Sequence, residues 1–267
     1  MKITTWFLAL FIFFSAGAIA AAKPKPPPLN ILAYDTGRGV LLLAGHDRKR
    51  WLAADECADK VSEHVGAWLI DKQGSIDPVA LEPVEQSAAA KKTPPRYRVK
   101  YKNKQSYFLA HHAWRQVLKP IDYNSLEVRK KIARHLVEAG GEDCAPCLGL
   151  HGSGSFNLHG DKQLETIYVI ETDEWVGVFV EFPDGRWIKV DGHSTVAADA
   201  LDLAEPNGDP ATLWHHTYEV VSLVDLDYNG NLELVVRENR FREQAISLYT
   251  LSRSGAKLQA RLIVKTQ

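Results

Sequence analysis

The chain has 267 residues, with 32 Lys plus Arg against 33 Asp plus Glu and a formal charge of −1. That balance excludes recognition of nucleic acid or a membrane surface through global charge, and leaves any electrostatic partner to a local patch. The composition is that of an ordinary globular protein, long enough for two small domains or one larger one.

Residues 1–20 have the three-part pattern of a secretory signal peptide: Met1-Lys2, the apolar run Trp6 to Phe14, then the small residues "SAGAIAAA", with cleavage expected after Ala20 or Ala22. Ser15, Gly17 and Ala18 interrupt the apolar run short of the ~20 residues a spanning helix needs, so no transmembrane anchor is expected after signal removal. Residues 21–29 form a proline-rich linker containing "AAKPKPPP". The expected location is periplasmic or secreted.

An oxidising compartment sets the expectation for Cys57, Cys144 and Cys147. "CAPC" (144–147) follows a helix and precedes the glycine-rich "LGLHGSGSF", read as a loop, which is the wrong context for a thioredoxin-type redox site. A structural disulfide is expected, either local or to Cys57, with redox and zinc roles as alternatives.

Residues 30–118 read as an N-terminal α+β domain. Short apolar runs "ILAY", "VLLLA" and "GAWLI" predict strands, and "DECADKVSEHV" carries a brief helical pattern. In "RYRVKYKNKQSYF", Arg96, Arg98, Lys100, Lys102 and Lys104 alternate with other residues, which puts the cations on one face of a strand. That face either binds an anionic polymer or is the charged solvent side of an edge strand, which blocks sheet-to-sheet aggregation.

Residues 119–267 read as a β-rich domain behind one helix. In "NSLEVRKKIARHLVEAGG", Asn124 or Ser125 caps, Gly140 ends, and Val128, Ile132 and Leu136 make an apolar stripe that seeks a sheet. "EWVGVFVEFPDGRWIKV" predicts a hairpin turning at Pro183-Asp184-Gly185, and "AISLYTL" with "LQARLIV" a second across Ser254-Gly255.

"NLHGDKQLETIYV" from Asn157 aligns without a gap on "DLDYNGNLELVVR" from Asp225, with agreement at both polar and apolar positions. The second copy has the chemistry of a calcium loop. Asp225, Asp227 and Asn229 offer oxygens at alternate positions, the Asn231 carbonyl a fourth, and Glu233 closes the cage. The first copy has His159 where an oxygen is wanted and Lys162 where Gly230 stands, a pattern of lost metal binding. The competing reading is a bare Asn229-Gly230 hairpin turn with both residues at positive φ.

These residues resemble the Asp-x-Asp-x-Asp-Gly-x-x-Asp/Glu loop of FG-GAP and VCBS-type repeats of exported proteins, over about the last 150 residues. The resemblance implies Ca²⁺ at Asp225, Asp227, Asn229, Asn231 and Glu233, with Asn229 and Tyr228 departing from the family pattern. Two copies are too few for a closed propeller. The affinity expected is weak, about 10⁻⁴ to 10⁻³ M, suited to stabilising structure.

No His-Glu-x-x-His, P-loop or dinucleotide fingerprint is present, and "HGSGS" (151–155) does not fit Gly-x-Ser-x-Gly. Nothing in the sequence pairs Asp191 with His193, or Asp202 with Glu205, for acid/base work. The expectation is a non-catalytic binding or structural module stabilised by Ca²⁺, with an envelope protein or anionic polymer as partner. The alternative is an envelope hydrolase assembled from residues distant in sequence.

Overall fold

The computed structural model describes residues 29–35, 40–58, 60, 65–71, 74–83, 96–99, 108–110, 121, 125–138, 148–172, 175–194, 216–240 and 243–265. The signal segment, linker residues 21–28, Cys144, Cys147, Lys100, Lys102, Lys104, Asp202 and Glu205 lie outside these residues. Most of what is described is antiparallel β-sheet with few helices, and no helix is long and apolar enough to cross a membrane.

The first sheet contains β1 (Asn30–Asp35), β2 (Val40–His46), β3 (Trp51–Ala53), β4 (Val65–Asp71), β5 (Gly74–Pro83), β6 (Arg96–Val99) and β7 (Phe108–Ala110). Its order is β1-β7-β4-β5-β6-β2-β3, and a further β1–β2 pairing curls it back on itself. The short helix α1 (Ala54–Ala58) follows β3 and brings Cys57 into the core formed by Ile31, Ala33, Leu42, Leu69 and Leu81. The alternate residues Leu32 and Tyr34 face the other way, into a second core.

β6 lies between β5 and β2, so the expectation of an edge strand at Arg96 to Lys104 is corrected for the described part: both flanks of β6 are hydrogen-bonded. Tyr97, 4% exposed, anchors it in the core, while the side chains of Arg96 and Arg98 are outside the described set.

Helix α2 (Leu126–Glu138) begins at Ser125, whose carbonyl accepts from Arg129 N at 3.1 Å. Its stripe lands on a sheet: Ile132, Ala133 and Leu136 are buried against Leu148, Tyr168, Ile170, Trp175 and Phe179, with Val128 partly buried. The Lys131–Glu181 ion pair and Trp187, stacked between the rings of His135 and Tyr168, hold the helix there.

The remaining strands form two antiparallel meanders. The first is β8 (Gly149–Phe156), β9 (Glu165–Glu171), β10 (Trp175–Glu181) and β11 (Trp187–Ser194). The second is β12 (Thr217–Val224), β13 (Glu233–Asn239), β14 (Glu243–Ser252) and β15 (Gly255–Lys265). The strands start at 149, 165, 175 and 187 and again at 217, 233, 243 and 255, an offset of 68 throughout. Asn157 and Asp225 are separated by the same offset.

β8 corrects the reading of "LGLHGSGSF" as a loop. The segment pairs with β9 and buries Ser155 and Phe156, while one extra residue between His151 and Gly154 makes a bulge. β12 carries a one-residue bulge between Val220 and Ser222, in the matching region. The β14–β15 turn falls at Arg253-Ser254, one residue earlier than expected, because Ser252 pairs with Gly255.

Helix α2, the first meander, the second meander and the curled sheet stack as successive layers. Ile167, Val169 and Val178 meet Val220, Leu234 and Val236 between the meanders. On the far side of the second meander, Val235, Ile246 and Leu248 meet Leu32, Tyr34 and Ile70. Strands of both meanders are therefore buried on both faces, which is why "YVI" and "LVV" run without polar interruption.

The seat of β11 on β10 depends on two glycines. Gly177 pairs with Gly192, and the Trp175 indole lies across both. A Cβ on Gly177 would stand 2.4 Å from Trp175 and 2.4 Å from the Asp191 carbonyl. Gly177→Ala should therefore cost about 1–3 kcal/mol through overpacking, lowering the melting temperature by about 2–4 °C per kcal/mol. Unchanged urea and thermal midpoints would refute the close packing.

Candidate metal centre

The segment 225–232 joins β12 to β13, and its conformation comes from side chains that bind the backbone two residues on. Asp227 Oδ1 accepts from Asn229 N at 3.0 Å, and Asn229 Oδ1 from Asn231 N at 2.6 Å. Asn229 Nδ2 also donates to Asp227 Oδ2 at 2.8 Å. Positive φ falls at Tyr228 (62°) and Gly230 (87°), with Asn229 between them in the ordinary region. The bare hairpin turn requires positive φ at Asn229 as well as Gly230, so the loop takes a different conformation.

At the base of the loop Glu233, 2% exposed, accepts from Leu226 N through Oε2 at 2.9 Å. Asp225, Asp227 and Glu233 offer oxygens that all lie within 4.8 Å of one another. Calcium–oxygen bonds of about 2.3–2.6 Å put opposite ligands about 4.6–5.2 Å apart, so one ion can touch all three carboxylates. The donor set is hard oxygen, which fits Ca²⁺. Asn229 sits at the exposed rim, bridging Asp227 and Asn231.

Electrostatics argue in the same direction. Burial pushes the Glu233 carboxyl well above its ordinary value; the Leu226 N–H opposes this, and Asp227 and Asp225 add to it. Without a cation the site favours a proton on Glu233; a divalent cation would offset two of the three negative charges. The neighbouring Tyr228 hydroxyl is pushed up to about 12 by burial and by Asp225.

The first copy, 157–164, repeats the geometry with one change of chemistry. Gly160 (φ 68°) and Lys162 (φ 69°) have positive φ at the positions of Tyr228 and Gly230. Gln163 N donates to Asp161 Oδ1 at 2.9 Å, as Asn231 N does to Asn229. Glu165, also 2% exposed, accepts from Leu158 N at 2.8 Å, as Glu233 does from Leu226. Where Asp227 stands in the second copy, His159 donates from Nδ1 to Glu165 Oε1 at 2.9 Å. The imidazole thus meets the buried carboxylate from within the chain.

The two loops touch. Leu232 N donates to the Leu158 carbonyl at 2.7 Å, and a Cβ on Gly160 would lie 3.0 Å from the Gly230 carbonyl. Asn30 of β1 clamps the second loop from the other side, its Nδ2 donating to the Leu226 carbonyl at 3.0 Å and near the Asp225 carbonyl at 3.4 Å.

Elsewhere, Cys57 is a buried free thiol among the described residues, its Sγ 3.8 Å from the Leu52 carbonyl, and burial raises its pKa to about 12. Asp191 and His193 do not bond to each other. Asp191 accepts from the Tyr249 hydroxyl, while His193 meets Tyr218 and His216. Burial leads in lowering the His193 pKa, against the pull of Glu238. His216 and Glu238 were not marked by sequence reasoning, because three residues on separate segments 22 or more positions apart carry no spacing signal.

Comparison with protein-family models, with curated proteins and with solved structures gives no match, so the site is argued from its own geometry.

A pH test follows from Glu233. Because its folded carboxyl is raised, the native state binds the extra proton, so its contribution to stability is fully present below the ordinary carboxylate range and is lost as pH rises through the folded value. In chelator at pH 8, Glu233→Gln should melt above the wild type, since it removes an unbalanced buried charge. That advantage should shrink towards pH 5 and reverse when Ca²⁺ is added. A variant that melts below the wild type in chelator at pH 8 would contradict the electrostatic account.

Proposed function

We propose that the chain is an exported, non-catalytic binding or structural module, whose second meander is held in shape by Ca²⁺ at Asp225, Asp227 and Glu233, with Asn229 and the Asn231 carbonyl completing the ligand set. The observation that carries this reading is the convergence of three carboxylates, one of them fully buried, at a place where the sister loop supplies an imidazole. The loop pattern and the 68-residue duplication support assignment to the FG-GAP and VCBS-type repeats, as an open pair. The ion acts on the fold: it balances charge at a joint shared by the first sheet and both meanders.

Calcium should stabilise the protein. For a dissociation constant of about 10⁻⁴ to 10⁻³ M, about 10 mM Ca²⁺ adds about 1.4–2.7 kcal/mol. Asp227→Ala should abolish both the melting shift and the calorimetric heat of binding. Calcium that leaves the melting of wild type and variant alike untouched would end the claim.

The first copy allows a gain-of-function test. It already has Asp161 and Glu165, with Asn157 in place of Asp225, so His159→Asp gives it three carboxylates, the number in the second copy. The double variant His159→Asp/Lys162→Gly should bind one additional equivalent of Ca²⁺ in calorimetry and lose stability in chelator. An unchanged stoichiometry would mean that His159 does not stand in for an ion.

A further inference from the structure

Well away from the acidic loop, near the opposite end of the β12–β13 pair, three residues from different segments come together. His193 is near the end of β11, His216 immediately precedes β12, and Glu238 lies near the end of β13, paired across the ladder with Tyr218. His193 Nε2 is 3.0 Å from His216 Nδ1, and His216 Nδ1 is 3.5 Å from Glu238 Oε1. The three residues offer ligand atoms within 4.8 Å of one another. A tetrahedral ion with bonds of about 2.0–2.1 Å spaces its ligands about 3.3 Å apart, between the two short distances seen here.

We propose that His193, His216 and Glu238 form a binding site for a divalent transition ion of the Zn²⁺ class, separate from the calcium loop. Two imidazoles and one carboxylate suit such an ion and disfavour Ca²⁺, which takes oxygen. Without the ion, one of the two facing imidazole nitrogens carries a proton that the other accepts. A cation takes that position, and His193 then keeps its proton on Nδ1 and donates to the Tyr218 hydroxyl oxygen, 3.2 Å away. This outer bond orients the ring and selects the tautomer that binds metal.

Glu238 is held in place for the role. Arg240 grips it with two bonds, 2.8 Å to Oε1 and 2.9 Å to Oε2, and Arg261 bonds Oε2 at 2.6 Å. Oε1 therefore has the freer lone pair, on the side of His216. The two arginines do not repel a dication outright, because Glu238, Glu243 and Asp191 outnumber them. Three protein ligands leave a fourth position for water, the pattern of an open site.

The test uses the full chain, stripped with chelator and titrated with Zn²⁺ by calorimetry and with Co²⁺ by visible absorption. One equivalent should be lost, or weakened at least tenfold, in His193→Ala and in His216→Ala, while Asp227→Ala retains it. Tyr218→Phe should weaken binding by about tenfold by removing the outer bond. Melting in chelator establishes that each variant is folded, and His216→Asn serves if the alanine variant is not. Wild-type Zn²⁺ affinity in both histidine variants overturns the proposal. So does binding that disappears only in Cys144→Ser/Cys147→Ser, since the metal then belongs to the thiols.

Discussion

A buried carboxylate at the head of the second strand of each meander is the constraint from which the rest of this region follows. Glu165 and Glu233 each accept the N–H of a fully buried leucine seven residues earlier, and so fix the loop to its own sheet. A backbone donor alone does not balance a charge removed from water, so each buried carboxyl calls for a further partner. The two copies differ in where that partner comes from. His159 brings a hydrogen-bonding partner within the chain at the first site, and at the second the same position holds Asp227, which adds negative charge. The proposed calcium ion would be that partner at the second site.

The balance matters beyond the loop because the loop is a joint. Its carbonyls accept from Asn30 of the first sheet, and Leu232 N donates to the sister loop. Apolar layers on both sides then continue the contact: Leu226 packs with Leu32 and Ile246, while Leu158 packs with Phe156 and Leu234. Local repulsion at Asp225, Asp227 and Glu233 would therefore be felt as loosened packing between layers, not only as a frayed turn. Close-packed cores transmit small displacements instead of absorbing them.

Much of this was legible in the sequence where chemistry is local. The α2 stripe, the Pro183-Asp184-Gly185 turn and the gap-free loop alignment rest on spacings that near neighbours enforce. The reading of "LGLHGSGSF" as a loop failed because strand β8 is specified by its partner β9, and glycine there accommodates a bulge that no local propensity reveals. The position of β6 was hidden for the same reason: a strand's place in a sheet depends on pairings made far along the chain. His193, His216 and Glu238 are the extreme case, joined only by the folding of β11 beside β12 and β13.

The acidic loop and its sister share a conformation and differ in charge. Glu233 accepts from Leu226 N and Asn30 donates to the Leu226 carbonyl, as Glu165 accepts from Leu158 N in the sister copy. The two copies can be compared within one molecule: with His159 in one and Asp227 in the other, the backbone hydrogen bonds, the positive-φ positions and the 68-residue register are the same. On the proposed reading, an ion at the second site supplies charge, and the conformation is supplied by the sheets.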